Sequence, residues 1–84
     1  MDKGLMLVLS ETLKCFDSLL VEISFDDLVV TLVRKLNGAR IIIDYYSINI
    51  NGNWVMTTRE MYALSHAYDL IRMKLEVEYQ RSKL

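Results

Sequence analysis

Residues 34–45 read RKLNGARIIIDY, and the Asn37-Gly38 pair near their centre admits two structures. Glycine after a basic turn ends a helix, whereas Asn-Gly between apolar runs closes a β-hairpin. The helical reading covers 24–36. Ser24 caps it with Asp27 three residues on, Arg34 and Lys35 suit the C-terminal end of the dipole, and Gly38 is the stop. The strand reading takes Asp26-Asp27 and Asn37-Gly38 as two-residue turns and pairs residues outward from each. Phe25 then faces Leu28, Ile23 faces Val30 and Val21 faces Leu32. Across the second turn Leu36 faces Ala39, Arg34 faces Ile41, Leu32 faces Ile43 and Val30 faces Tyr45. Both turns place Leu19, Val21, Ile23, Phe25, Leu28, Val30, Leu32, Leu36, Ala39, Ile41, Ile43 and Tyr45 on one face, interrupted by Arg34. A one-residue slip at either turn would scatter that face. The Val-Val-Thr-Leu-Val run at 29–33 also prefers strand. We therefore read 19–45 as an antiparallel meander.

Working outward, Asn51-Gly52 repeats the turn signal after Ser-Ile-Asn-Ile, so Trp54-Val55-Met56 is expected to return as a short fourth strand. Thr57 and Glu60 then form a capping box, opening a helix expected over 58–81. On the other side, Met6, Leu9, Leu13, Phe16 and Leu20 make one stripe of an amphipathic helix expected over 4–18. The fold class is α+β: an N-terminal helix, a three- to four-stranded antiparallel meander and a long C-terminal helix, with both helices on one sheet face.

At 84 residues the chain makes a single small domain, 1–84, which buries only about 60% of its unfolded surface. It lacks the usual staples. Cys15 is the one cysteine, so no internal disulfide forms, and no Cys/His cluster would hold a structural metal. The apolar share is 52%, which points to a dense core or to apolar surface shared with a partner. The formal charge of −1 is spread along the chain without a charged run, so nothing steers it to nucleic acid or an acidic membrane. The longest apolar run, 5–9, falls far short of the ~20 residues that span a bilayer and is also too short for a signal-peptide core. A lone cysteine without an export signal places the chain in the cytoplasm. Starting at Met1 without a tag, it is expected to be a whole gene product.

Catalytic parts are scarce. A Cys15–His66 pair would need a carboxylate and a pocket to act as nucleophile and base; the plainer reading makes Cys15 a small apolar residue of the first helix. Asp26-Asp27 would need further oxygen ligands to hold a hard cation, and adjacent acids are ordinary in turns. Phosphate loops, CxxC pairs and HExxH motifs are absent. No cofactor, metal or small-molecule substrate is expected. For nucleic acid, Arg34, Lys35 and Arg40 cluster at the second hairpin tip, and such a tip enters a groove when its charges converge. Arg72, Lys74, Arg81 and Lys83 mark the last helix, but Asp69, Glu76 and Glu78 are interleaved with them. Arg72–Glu76 and Lys74–Glu78 stand at i,i+4, the pattern of a solvated face laced with weak ion pairs.

The last helix is the most informative segment. At 100° per residue, Met61, Leu64, Tyr68, Ile71 and Leu75 form one apolar stripe suited to the sheet. Nearly opposite run Tyr62, His66, Leu70, Met73 and Val77. A helix apolar on two sides needs two neighbours: the first helix would cover the second stripe, or another chain would, and isologous pairing about a two-fold axis is the commonest way to hide such a surface. A helix of about 24 residues is ~36 Å long and a strand of eight ~26 Å. The last turns, with Val77 and Tyr79, should therefore overhang the sheet. The second sheet face is expected to carry Leu20, Val29, Val33, Ile42, Tyr46, Ile48, Ile50 and Val55, a group large enough to mark an interface unless Glu22, Thr31, Lys35, Arg40 and Asp44 break it up.

These readings converge on a small cytoplasmic protein, not an enzyme, that acts by stoichiometric contact with a protein partner, itself included as a homodimer. The interface is expected at Tyr62, His66, Leu70, Met73, Val77 and Tyr79. The profile fits an inhibitor, adaptor or antitoxin-like partner; small phage-encoded anti-defence proteins share its size and its want of catalytic parts. The alternative is a nucleic-acid-binding regulator using the tip at 34–40.

Overall fold

The computed structural model describes residues 1–83, and for Lys83 the backbone only. The chain runs α1 (Lys3–Thr12), β1 (Val21–Asp26), β2 (Val29–Arg34), β3 (Arg40–Ile43), β4 (Ile48–Asn51) and α2 (Thr58–Lys83). The strands form one antiparallel sheet in the order β1-β2-β3-β4. Segment 24–36 is strand and hairpin, so the helical reading of Gly38 falls.

Both hairpins sit two residues away from the expected register. Ile23 lies opposite Leu32 and Phe25 opposite Val30, while Leu32 lies opposite Ile41 and Val30 opposite Ile43. The first turn is Asp27-Leu28, with Asp27 left-handed at φ 57. At the second turn Gly38 takes φ 71 and Asn37 does not take a positive φ, whereas a two-residue type I′ turn needs both. The loop widens instead: Gly38 N–H donates to Arg34 O at 2.8 Å and Arg34 N–H to Ala39 O at 2.8 Å. Because side chains alternate with period two, a two-residue slip leaves every side chain on its face. Val21, Ile23, Phe25, Val30, Leu32, Ile41 and Ile43 share the inner face as expected. Leu19 and Leu36 do not; both fall outside the ladder and are exposed, and Tyr45 lies beyond β3.

Two further expectations are corrected. The fourth strand is Ile48–Asn51, not 54–56, and its pairing puts Ile48 opposite Ile43 and Ile50 opposite Ile41. Ile48 and Ile50 therefore belong to the inner face. A turn at 44–47 makes this possible, the Asp44 carboxylate accepting from the N–H groups of Tyr46 (2.8 Å) and Ser47 (2.9 Å). Gly52, at φ 92, ends β4 and turns the chain so that Trp54 and Met56 pack on the core; the Trp54 ring meets Phe16 edge to face at 6.2 Å. The first helix ends at Thr12 rather than 18. Asp17 reverses the chain there, its carboxylate accepting from Leu19 N–H at 2.9 Å and its carbonyl from Leu20 and Val21 N–H. Leu13 and Phe16 reach the core from this turn, but Leu20 is left exposed and Cys15 lies outside the helix, exposed.

α2 starts as expected. Thr57 N–H donates to Glu60 Oε1 at 2.9 Å and Glu60 N–H to Thr57 Oγ1 at 3.1 Å, a closed capping box. The core lies between the inner sheet face and the helices: Leu9, Leu13, Val30, Leu32, Ile41, Ile43 and Ile71 are fully buried, with no polar side chain among the described buried residues. Asp2 ties the helices together. Its carboxylate caps α1 by accepting from Gly4 N–H at 2.7 Å and meets Lys74 Nζ at 3.1 Å. Arg72 ties α2 to the 44–47 turn, donating to Tyr45 O at 3.3 Å and Tyr68 Oη at 2.8 Å with its guanidinium 4.6 Å over the Tyr45 ring.

Two glycines differ in what they do. A Cβ on Gly38 would meet nothing within 4 Å, whereas one on Gly52 would press on Ala39 Cα and Cβ at 3.2 Å. Gly38→Ala should cost about 1–2 kcal/mol from the left-handed backbone alone, and Gly52→Ala should cost roughly 1 kcal/mol more from overpacking. Equal urea midpoints for the two variants would contradict the close approach at Gly52.

Asp2 yields a pH-dependent prediction. The Lys74 ammonium, then the Gly4 and Leu5 amides, hold its carboxyl below the ordinary 3.8. A depressed carboxyl stabilises the fold above its unfolded pKa, and that contribution disappears as pH falls through the folded value. Asp2→Asn keeps a capping oxygen and loses the charge, so its Tm should lie below wild type at neutral pH and converge with it as pH falls through the lowered folded pKa. Asp2→Ala should lie lower still at neutral pH. A wild-type to Asn gap that persists in acid would show that the ion pair does not act as described.

Candidate interaction surface

α2 is flanked on two sides. The sheet takes the side of Leu64, Tyr68, Ile71 and Leu75, while α1 runs along the flank of Ala63, Ala67 and Lys74. Asp2 meets Lys74 at one end of this contact, and Cys15 shares a groove with Arg59 and Ala63 at the other. Met61, expected in the core stripe, is half exposed, and Ala67 replaces it as a fully buried member. Sequence spacing found the correct side of the helix and missed its centre, because Ala67 is small and Met61 is large.

The second stripe is not covered by α1. Tyr62 is 73% exposed, Met73 61% and Val77 49%, with His66 exposed between them. Leu70, at the stripe's edge, is half-buried against the core. Tyr79 stands on another flank, exposed, where it lines a groove of about 460 Å³ with Tyr45, Tyr46 and Leu75. The expected interface residues thus divide into an open stripe of Tyr62, His66, Met73 and Val77, one residue shared with the core, and one beside the β3–β4 turn. The aromatic pair Tyr45–Tyr46, ring centroids 5.1 Å apart, was expected on opposite sheet faces, Tyr45 inner and Tyr46 outer, rather than together in the turn beyond β3. Its signal would have been the Asp44-Tyr45-Tyr46-Ser47 run, where an Asx turn exposes neighbouring rings.

The molecule is long, 47 × 22 × 21 Å. It exposes 5887 Å², where a compact monomer of 9.8 kDa exposes ~5200 Å². The surplus reflects the elongated shape, with the last turns of α2 exposed from Glu76 to Ser82.

The basic tip is dispersed. Arg34 lies opposite Val21, on the inner face at the end of its row, whereas Arg40 lies opposite Val33, on the outer face. Lys35 donates to Ser18 O at 3.2 Å. The three side chains do not share one face. The outer sheet face carries half-buried Val29, Thr31, Val33 and Ile42, flanked by exposed Glu22, Ser24, Arg40 and Asn49. Cys15 and His66 line no common pocket, and among the described residues no three His, Cys, Asp or Glu side chains are grouped to hold a metal ion. No described helix is long and apolar enough to cross a membrane. No family model, curated protein or solved structure matches this chain.

Proposed function

We propose that this protein is a non-enzymatic binding module that acts by stoichiometric contact with a protein partner, as an inhibitor or adaptor, through the open stripe of α2. The observation that carries the reading is the exposure of Tyr62, Met73 and Val77 on a helix that the sheet and α1 pack against from two other sides. Tyr and Met are enriched at interfaces, Tyr giving large contact with few frozen torsions and Met a shape that adapts to its partner. The stripe is rimmed by Asp69, Glu76 and Arg81, polar residues that would remain wet around a buried centre.

Met73→Glu tests this reading without disturbing the core, because Met73 is 61% exposed whereas Leu70 is packed on the core. Burial of one side chain of this size contributes roughly 1.5–3 kcal/mol, so the variant should lose at least about tenfold in affinity for the partner retained by immobilised wild-type protein. Its Tm should match wild type. A folded Met73→Glu and Tyr62→Ala double variant with full binding and full biological activity would sink the proposal. So would retention on DNA or RNA that falls steeply with salt and is lost when Arg34, Lys35 and Arg40 become Ser.

A further inference from the structure

β1 lies at one edge of the sheet, with no strand beyond it among the described residues. Its hydrogen-bonding parity follows from one bond: Lys35 N–H donates to Leu20 O at 2.9 Å. In an antiparallel ladder bonded pairs alternate, so Glu22, Ser24 and Asp26 turn their backbone groups to β2, and Val21, Ile23 and Phe25 turn theirs outward. Val21 N–H donates to Asp17 O at 2.8 Å. The Val21 carbonyl and both groups of Ile23 and Phe25 face open space. Sheet edges are usually blunted by lysine, proline, a bulge or brevity. Of such devices β1 has only the exposed carboxylates Glu22 and Asp26 on its outer face; it has no lysine, proline or bulge over its six residues, and its pairing with β2 is unbroken. The opposite edge is protected: β4 has four residues, two of them Asn, and Gly52 bends the chain away from it.

We infer that this edge pairs with β1 of a second copy, antiparallel about a two-fold axis through Ile23. In that register each Ile23 N–H donates to the other Ile23 carbonyl, and each Phe25 N–H to the other Val21 carbonyl. Val21 then stands opposite Phe25 of the second copy on the inner face, and Glu22 opposite Ser24 on the outer face. The charges select this register. A shift of two residues one way sets Glu22 against Asp26, and the other way sets Glu22 against itself, both unfavourable across strands. A groove of about 710 Å³ runs beside the edge, lined by Leu13, Phe16, Val21, Ile23 and Phe25 among others, and takes the Phe25 ring of the second copy next to Val21. The contact is isologous and closes at two copies. It leaves the α2 stripe of each copy open, so it stands independently of the function proposed above.

Ser24 makes the register testable, because its exposed side chain faces Thr31 across β2 on the outer face and takes no part in the core. Ser24→Lys sets a base opposite Glu22 of the second copy and Ser24→Glu sets an acid there, each twice per dimer. The dimer Kd by sedimentation should tighten about tenfold for Lys and weaken about tenfold for Glu. Amide exchange on the wild type reads the same contact without substitution: Ile23 and Phe25 should gain protection as concentration rises, while Glu22 and Ser24, already bonded to β2, should not change. A wild-type chain that stays monomeric at high micromolar concentration overturns the inference. So does a dimer in which Ile23 and Phe25 exchange at a constant rate, or one that both Ser24 variants weaken alike.

Discussion

One apolar layer holds this chain together, and nothing else in it is strong enough to substitute. The inner sheet face presents Val, Leu, Ile and Phe25, with Arg34 only at the end of its row, and α1 and α2 bury it with Leu9, Leu64, Ala67 and Ile71. No disulfide supports that layer, and the ion pairs around it are solvent-exposed contacts of small individual worth. A domain this small is marginally stable, so the layer has to be well filled. Fully buried Leu9, Leu13, Val30, Leu32, Ile41, Ile43 and Ile71 supply that filling, and truncating any of them would cost a large fraction of the total stability.

The face of each strand was legible in the sequence, and the register was not. Alternation fixes which side of the sheet Ile23, Leu32 or Ile41 occupies, and a two-residue error in both turns leaves that assignment intact. The turn types depend on which residues take positive φ. Asp27 does so without the glycine that usually signals it, and Asn37 declines to do so despite preceding one. The Thr57–Glu60 box was readable because both halves of the cap are local in sequence. The end of α1 was not, because the helix stops at Thr12 with Leu13 as its C-cap and no Gly or Pro to announce it, and Asp17 then turns the chain into β1. β4 was misplaced for a related reason: Gly52 is a site of close approach to Ala39, and a close approach has no local sequence pattern.

For the candidate surface, helical spacing located the stripe of Tyr62, His66, Met73 and Val77, since residues three and four apart share a face wherever the helix docks. It could not say where the neighbouring layers end. Leu70 has the same spacing as Met73 and is half-buried, because α1 lies against that flank of α2 and the Lys74–Asp2 pair fixes it there. The division between buried and open residues on α2 is therefore set by the position of a different helix, with the Asp2–Lys74 pair at one end of their contact.

That contact separates the chain in time as well as in space. The strand pairings of the meander join neighbours in sequence, across turns of a few residues, whereas Asp2 and Lys74 lie near opposite ends of the chain. Short loops close with less entropy lost than long ones, so the hairpins form early and the N-terminal helix docks last. The same asymmetry governs the reverse process. Releasing α1 would uncover Leu9 without breaking any strand pairing of the meander.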